Sequence, residues 1–317
     1  MLGGPIRIGV SSCLLGNQVR YDGGHKRDAF LVETFGQYVE WVAVCPEVEI
    51  GLGTPRPTLR LECNGHDVRL VMPQSGADHT EAMRAFARRR VAVLAQHNLC
   101  GYVLKKDSPS CGMERVNVYG AGALPAKTGR GLFADALMRR YPLLPIEEEG
   151  RLNDPLLRDN FVERVFAYRR LRTFFSRRWT NGALVAFHTT HKLQLMAHAP
   201  SLYEQLGRLV ANPAVLKPAA LRAQYESQFM QALAVPATRK RHTNVLQHIA
   251  GYFKRQLNGA ARHELASLIE DYRRGLVPLV VPLTLIRHYV RRFDVGYLKG
   301  QVYLDPHPKE LMLRNHV

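Results

Sequence analysis

The sequence predicts an α/β N-terminal domain with a mainly parallel, Rossmann-like sheet, followed by an all-α C-terminal domain. Short apolar runs without clean alternation recur in the first half, as strands covered on both faces do. Helical patterns interleave with them, which is the order of a parallel sheet. Beyond about residue 150 the patterns are helical.

Ile6 to Val10 is the first apolar run and ends in Ser-Ser-Cys. Val39 to Val44 is the second and ends in Cys-Pro-Glu, and Gly101 to Leu104 is the third, leading into Lys-Lys-Asp-Ser-Pro-Ser-Cys. A hairpin is expected between the last two. Leu59, Leu61 and Cys63 alternate with polar residues up to the turn signal Asn64-Gly65, and Val68 and Leu70 continue on the return. Asp78 with Glu81 three residues on reads as a capping-box-like helix start. Met83, Phe86, Ala87, Val91 and Leu94 form the apolar stripe of that helix, with Arg84 and Arg88 facing elsewhere. Tyr141 to Gly150, with two prolines and an acidic run, reads as a linker or domain edge. Asp154-Pro155 then supplies an N-cap and first-turn pair, followed by Leu156, Phe161, Val165, Tyr168 and Leu171 at near-helical spacing. Helical patterns continue to about residue 293, so the expected domains are 1–150 and 151–317.

Each half of the 317 residues is long enough to bury its own core, and 46% hydrophobic residues with mixed charges describe a globular chain. No apolar run reaches the roughly 18 to 20 residues of a membrane span. The start, MLGGPIRIGVSS, lacks the pattern of a signal peptide. The expectation is a cytoplasmic protein with no membrane association, and no protein partner is inferred. A dehydrogenase is disfavoured because no G-x-G-x-x-G follows the first strand, and no P-loop is present.

Charge is uneven. Residues 1–150 hold 18 Lys and Arg against 16 Asp and Glu, whereas residues 151–317 hold 26 against 11. An excess confined to one half points that half towards a polyanion, nucleic acid first, against the plainer reading of a solvated basic surface. Arg169, Arg170, Arg177, Arg178, Lys192, Arg239, Lys240 and Arg241 are the candidate nucleic-acid contacts. Phosphate contacts by such residues give affinity and little sequence choice. His188, His191 and His198 share a helical face, which suits helix packing or RNA contact better than metal binding, because no acidic residue accompanies them.

The chain has five cysteines, an odd number without the spacing of a disulfide framework. Cys13, Cys45 and Cys111 each follow an expected buried strand within a few residues, in loops rich in Gly, Pro and Ser. Chemistry in open α/β sheets gathers at the carboxyl ends of strands, so three strands delivering a thiol to one edge suggests a shared site. Cys63 and Cys100 lack this context and read as small buried hydrophobes. The residues alone leave four readings of the three thiols: an iron–sulfur cluster, zinc, thiol redox chemistry, or unrelated core cysteines. Zinc is weakened by the lack of close cysteine pairs. Glu47, two residues after Cys45, and Ser108, three before Cys111, are candidate proton-transfer groups, with Glu49 and Ser110 as alternatives. Arg56 and Arg60 either approach a substrate phosphate or cover the hairpin.

Three strings carry a family resemblance. Ser11-Ser-Cys-Leu-Leu-Gly16 with Val19, Tyr21 and Gly23, Cys45-Pro-Glu-Val-Glu-Ile-Gly-Leu-Gly53 with Pro55-Arg56, and Lys105-Lys-Asp-Ser-Pro-Ser-Cys-Gly112 resemble, in order, the signatures of bacterial thiouracil desulfidases. Phe187-His-Thr-Thr-His-Lys-Leu-Gln-Leu-Met-Ala-His198 and the terminal Tyr303-Leu-Asp-Pro-His-Pro308 with Leu313-Arg-Asn315 resemble a partner domain of that family. The fused arrangement is similar to the desulfidases that remove sulfur from 4-thiouridine in tRNA. The resemblance implies a 4Fe–4S cluster held by Cys13, Cys45 and Cys111, with an open iron that binds the thiocarbonyl sulfur. It implies Glu47 and Ser108 as catalytic residues and 4-thiouridine-containing tRNA as the partner. Free thiouracil or thionucleotides are the alternative substrates, and an iron–sulfur redox-sensing nucleic-acid-binding protein is the alternative of another class.

Overall fold

The computed structural model describes residues 4–64, 67–120 and 124–316. The chain divides into two compact units, Met1–Asp154 and Pro155–Val317.

The first unit carries nine strands among its described residues: β1 (Arg7–Ser11), β2 (Glu40–Val44), β3 (Arg60–Asn64), β4 (Asp67–Met72), β5 (Ala77–Asp78), β6 (Gly101–Leu104), β7 (Val116–Tyr119), β8 (Ala126–Gly129) and β9 (Ile146–Glu148). The apolar runs build a four-stranded sheet in the order β2-β1-β6-β9, parallel at every pairing. β1 pairs with β2 on one side and β6 on the other, so the chain winds outward in both directions from β1 and β6. That reversal opens a crevice beyond the strand ends. Ile8, Val10, Val103 and Leu104 are fully buried, and Phe133 and Leu137 are buried with them. Phe133 and Leu137 belong to α3 (Leu132–Arg140); the unit's other α-helices are α1 (Pro46–Glu49) and α2 (Thr80–Leu94).

A second, five-stranded sheet has the order β5-β4-β3-β7-β8 and is mixed, with only β3–β7 parallel. The sequence foretold its β3–β4 hairpin, where Leu61 lies opposite Leu70. Gly65 of the expected turn lies outside the described residues.

Three expectations need correction. β2 is an edge strand, and all of it except Val44 is at least partly exposed, because no neighbour covers its outer side. Tyr141 to Gly150 is not simply a linker: β9 lies within it as the fourth parallel strand, with Glu147 and Glu148 buried. Glu147 accepts from Arg151 Nε at 2.6 Å and Glu148 from the Met113 amide at 2.7 Å, which compensates two carboxylates in an interior position. Asp78 does not form the capping box. It ends β5 and its Oδ1 accepts from the Thr80 amide at 2.8 Å, so α2 begins at Thr80, and Glu81 pairs with Arg84 instead.

The second unit is helical, as expected. It contains α4 (Pro155–Phe175), α5 (Asn181–His198), α6 (Pro200–Ala211), α7 (Pro218–Ala234), α8 (Arg239–Gly251), α9 (Gly259–Arg274), α10 (Val280–Arg292) and α11 (Gly296–Lys299). Leu246, Ile249, Phe253, Leu283 and Ile286 form one fully buried core. Among the described residues no helix is long and apolar enough to cross a membrane.

Candidate active site

Cys13, Cys45 and Cys111 meet at the carboxyl edge of the parallel sheet, in the crevice that its winding opens. Cys13 follows β1, Cys45 follows β2, and Cys111 sits seven residues beyond β6. All three line one cavity of about 310 Å³, together with Glu47, Ser108, Ser110, Arg56 and Lys105. Cys63 and Cys100 do not border it.

Local backbone chemistry fixes each thiol. Cys13 lies in a short 3-10 turn closed by Gly16 at φ 96°, and its carbonyl accepts from the Gly16 and Lys26 amides at 3.3 and 2.9 Å. Cys45 is the N-cap of α1; its amide donates to Glu49 Oε1 at 3.2 Å, and its sulfur lies 3.8 Å from the Val19 carbonyl. Cys111 closes a tight loop in which the Gly112 amide donates to the Ser108 carbonyl at 2.7 Å. The first amides of α3 grip the same loop, Phe133 and Ala134 both donating to the Ser110 carbonyl at 3.0 and 3.2 Å. This close approach requires glycine at 131, where a Cβ would come within 2.4 to 2.7 Å of Ser110 and Cys111 backbone atoms.

The thiols are dry. Burial pushes Cys13 up to about 11, against the lowering charge of Lys105. Burial likewise pushes Cys111 up to about 12, while a hydrogen bond from Ser11 works the other way. Cys45 is raised by burial too. A cysteine ligates as its thiolate, so a metal bound here would have to displace these protons. Among the described residues no group of three or more His, Cys, Asp or Glu side chains is arranged to hold a metal ion. Three cysteines delivered to one cavity after three separate strands suit a cluster better than zinc, whose cysteines come as close pairs. The donor set therefore fits an iron–sulfur cluster.

Glu47 is held at both oxygens. Its Oε2 accepts from Arg56 Nε at 3.0 Å and Nη2 at 2.6 Å, and its Oε1 accepts from Ser110 Oγ at 2.7 Å. Ser108 Oγ lies 3.0 Å from Ser110 Oγ and accepts from the Cys111 amide at 3.1 Å. The two expected catalytic groups are thus joined through Ser110. Glu49 points away from this chain of bonds, bridging the Cys45 amide and Arg90. Arg60 pairs with Glu62 and lies over the Tyr119 ring, so it covers the second sheet.

Residues 8–149 match the model of the family described as 2-thiouracil desulfurase. Residues 192–308 match a second family, described as a protein of unknown function, DUF1722. The chain is 35% identical over 161 residues to the uncharacterized protein YbgA of Escherichia coli strain K12, covering 50% of this chain and 94% of YbgA. It is 33% identical over 154 residues to the uncharacterized protein YbbK of Bacillus subtilis strain 168, covering 46% of this chain and 98% of YbbK. The chain belongs to the 2-thiouracil desulfurase family, with a DUF1722 domain fused behind. A solved structure of the 4Fe–4S-dependent thiouracil desulfidase TudS is also similar, at 32% identity and a TM-score of 0.39, covering 47% of this chain and 94% of TudS.

In this desulfurase-family chain the candidate nucleic-acid contacts fall into two groups. Arg177, Arg178, Arg239 and Lys240 are exposed, whereas Arg169, Arg170, Lys192 and Arg241 are half-buried. Arg170 Nη2 donates to the Pro306 carbonyl at 2.7 Å and Arg241 Nη1 to the His198 carbonyl at 2.6 Å, so these two guanidinium groups brace the fold. His188, His191 and His198 are each 2% exposed and point inward. The two motifs of the second unit converge on a buried polar cluster: Glu163 lies 3.4 Å from both His198 and Arg314, and Tyr303 Oη lies 2.9 Å from His242 Nδ1.

Sequence reading missed the pairing of Arg56 with Glu47 and ranked Ser110 below Ser108. Arg56 stands nine positions beyond Glu47, at no helical or strand spacing, so no local pattern could announce the pairing.

Proposed function

We propose that the protein is a tRNA 4-thiouridine desulfidase, replacing the sulfur on ring carbon 4 by oxygen from water. The observation that carries the reading is the meeting of Cys13, Cys45 and Cys111 with Glu47 on one cavity, in a chain of the 2-thiouracil desulfurase family. Cys13, Cys45 and Cys111 would hold a 4Fe–4S cluster, which when bound would supply a soft Lewis acid suited to a thiocarbonyl sulfur.

The chain's own groups manage water and protons. Glu47 takes a proton from the water that adds to carbon 4, and Ser110 and Ser108 carry hydrogen bonds onward along the cavity wall. Cys13 and Cys111 in the cavity wall are buried, and interactions with buried groups are less screened by solvent. The balance is thiocarbonyl plus water giving carbonyl plus hydrogen sulfide, with no electron gained or lost by the pyrimidine.

Charge supports tRNA as the substrate, because 26 Lys and Arg face 11 Asp and Glu in residues 151–317. The family's description supports a second reading, in which free thiouracil is the substrate. Comparing kcat/KM for thiolated tRNA and for free 4-thiouracil, on anaerobically reconstituted protein, separates them. The proposal expects a preference for tRNA of at least about a hundredfold, set by phosphate contacts. Equal or reversed preference would leave the free base as the substrate.

A further inference from the structure

We propose that Arg56 is the positioning residue of this reaction, fixing the Glu47 carboxylate so that one oxygen serves the cavity and the other cannot. The inference rests on the desulfidase reading and assigns a residue that reading leaves without a role.

The two oxygens of Glu47 are divided. Oε2 receives both Arg56 bonds, while Oε1 faces Ser110. Arg56 is itself immobilised: Nη1 donates to the Gly53 carbonyl at 2.8 Å and lies 3.4 Å from Thr54 Oγ1, and Nη2 donates to the Val19 carbonyl at 3.0 Å. Its side chain is 4% exposed and that of Glu47 is 14% exposed. The guanidinium fork is thus fully occupied by protein acceptors, with no donor left for a substrate phosphate. The sequence-based expectation of phosphate contact is removed on that ground.

An ion pair this dry is poor evidence of stabilisation, because desolvating both charges offsets their attraction. Its geometric effect is definite. The Glu47 carboxylate stands on three rotatable bonds at the start of a four-residue helix, and two bonds from a rigid fork to one oxygen restrict them. Lysine cannot reproduce this, since it offers a single mobile ammonium in place of the planar pair. Orientation of a proton-transferring group is where a small displacement lowers rate steeply.

The experiment compares wild type, Arg56→Lys, Arg56→Gln, Glu47→Gln and the double variant Arg56→Gln/Glu47→Gln, all reconstituted with iron and sulfide. Expected for Arg56→Lys is a fall in kcat of about tenfold or more per cluster, with KM nearly unchanged. In the Glu47→Gln background, Arg56→Gln should bring no further loss, because the two residues act as one unit. A crystal structure of Arg56→Gln supplies a readout independent of turnover, and should show Glu47 rotated out of hydrogen-bond reach of Ser110. Glu47 still bonded to Ser110 in that variant would overturn the proposal, whatever the activity. Multiplicative kinetic losses, or cluster loss with kcat per cluster unchanged, would also overturn it and make Arg56 a structural brace. A wild type inactive on both tRNA and free thiouracil would instead sink the parent desulfidase reading, while the crystallographic test of Arg56 would still stand.

Discussion

A thiol becomes a metal ligand only as its thiolate, so a bound metal must displace the proton. Cys13 and Cys111, pushed up to about 11 and about 12 by burial, remain protonated until a metal arrives. Serine at 13, 45 or 111 should therefore reduce bound iron and acid-labile sulfide sharply, while serine at 63 or 100 should leave both near wild type. Equal iron in all five variants would refute the assignment. Residues of the second unit give a pH prediction. Burial pushes His188 down to about 4, and His191 and His242 down to about 3, from an ordinary 6.5. Their folded values lie below the unfolded one, so the unfolded chain takes up protons first as pH falls. Stability is complete above about pH 6.5 and declines below it, by roughly 1.4 kcal/mol per pH unit for each histidine. The melting temperature of the helical unit should fall between pH 7 and pH 5, and less steeply in His191→Leu; an identical slope would contradict this. The cysteines were legible in the sequence because each follows a short apolar strand. The bonds among Glu47, Ser110 and Arg56 were not, since they join α1 to two loops that only the fold brings against it.

At the scale of elements, the site depends on how α3 begins. Its first amides bind the Ser110 carbonyl, and Gly131 lies against the backbone of Ser110 and Cys111. Gly131→Ala should destabilise the first unit by about 1–3 kcal/mol and loosen iron binding, read as a lower urea midpoint together with reduced iron content. An unchanged midpoint would show that the loop yields freely. The buried strands β1 and β6 were readable because a strand covered on both faces is apolar throughout. β9 was not, because Glu147 and Glu148 mimic a solvent-facing acidic run, and the Met113 amide that donates to Glu148 lies 35 residues away. β2 read as buried because its composition is apolar, yet it is an edge strand, and composition does not say which strand is last in a sheet.

At the scale of the whole molecule, the proposed tRNA reading assigns phosphate binding to the second half, where 26 Lys and Arg stand against 11 Asp and Glu in residues 151–317. Arg177, Arg178, Arg239 and Lys240 are exposed and accessible to phosphates. Reversing these four charges should weaken tRNA binding by about tenfold or more. It should also flatten the salt dependence by roughly 0.7–0.9 in log–log slope for each phosphate no longer neutralised. The same change should lower kcat/KM on tRNA far more than on free 4-thiouracil. Unchanged affinity at low salt would move the RNA-binding surface to other residues. The central claim is that the three-cysteine cavity performs a cluster-dependent desulfidation. Its most direct test follows 4-thiouridine in tRNA by nucleoside mass spectrometry, with anaerobically reconstituted wild type beside folded Cys111→Ser. The account predicts conversion to uridine by the wild type and none by the variant. Equal conversion by both would contradict it, as would a wild type fully loaded with iron that converts neither thiolated tRNA nor free thiouracil.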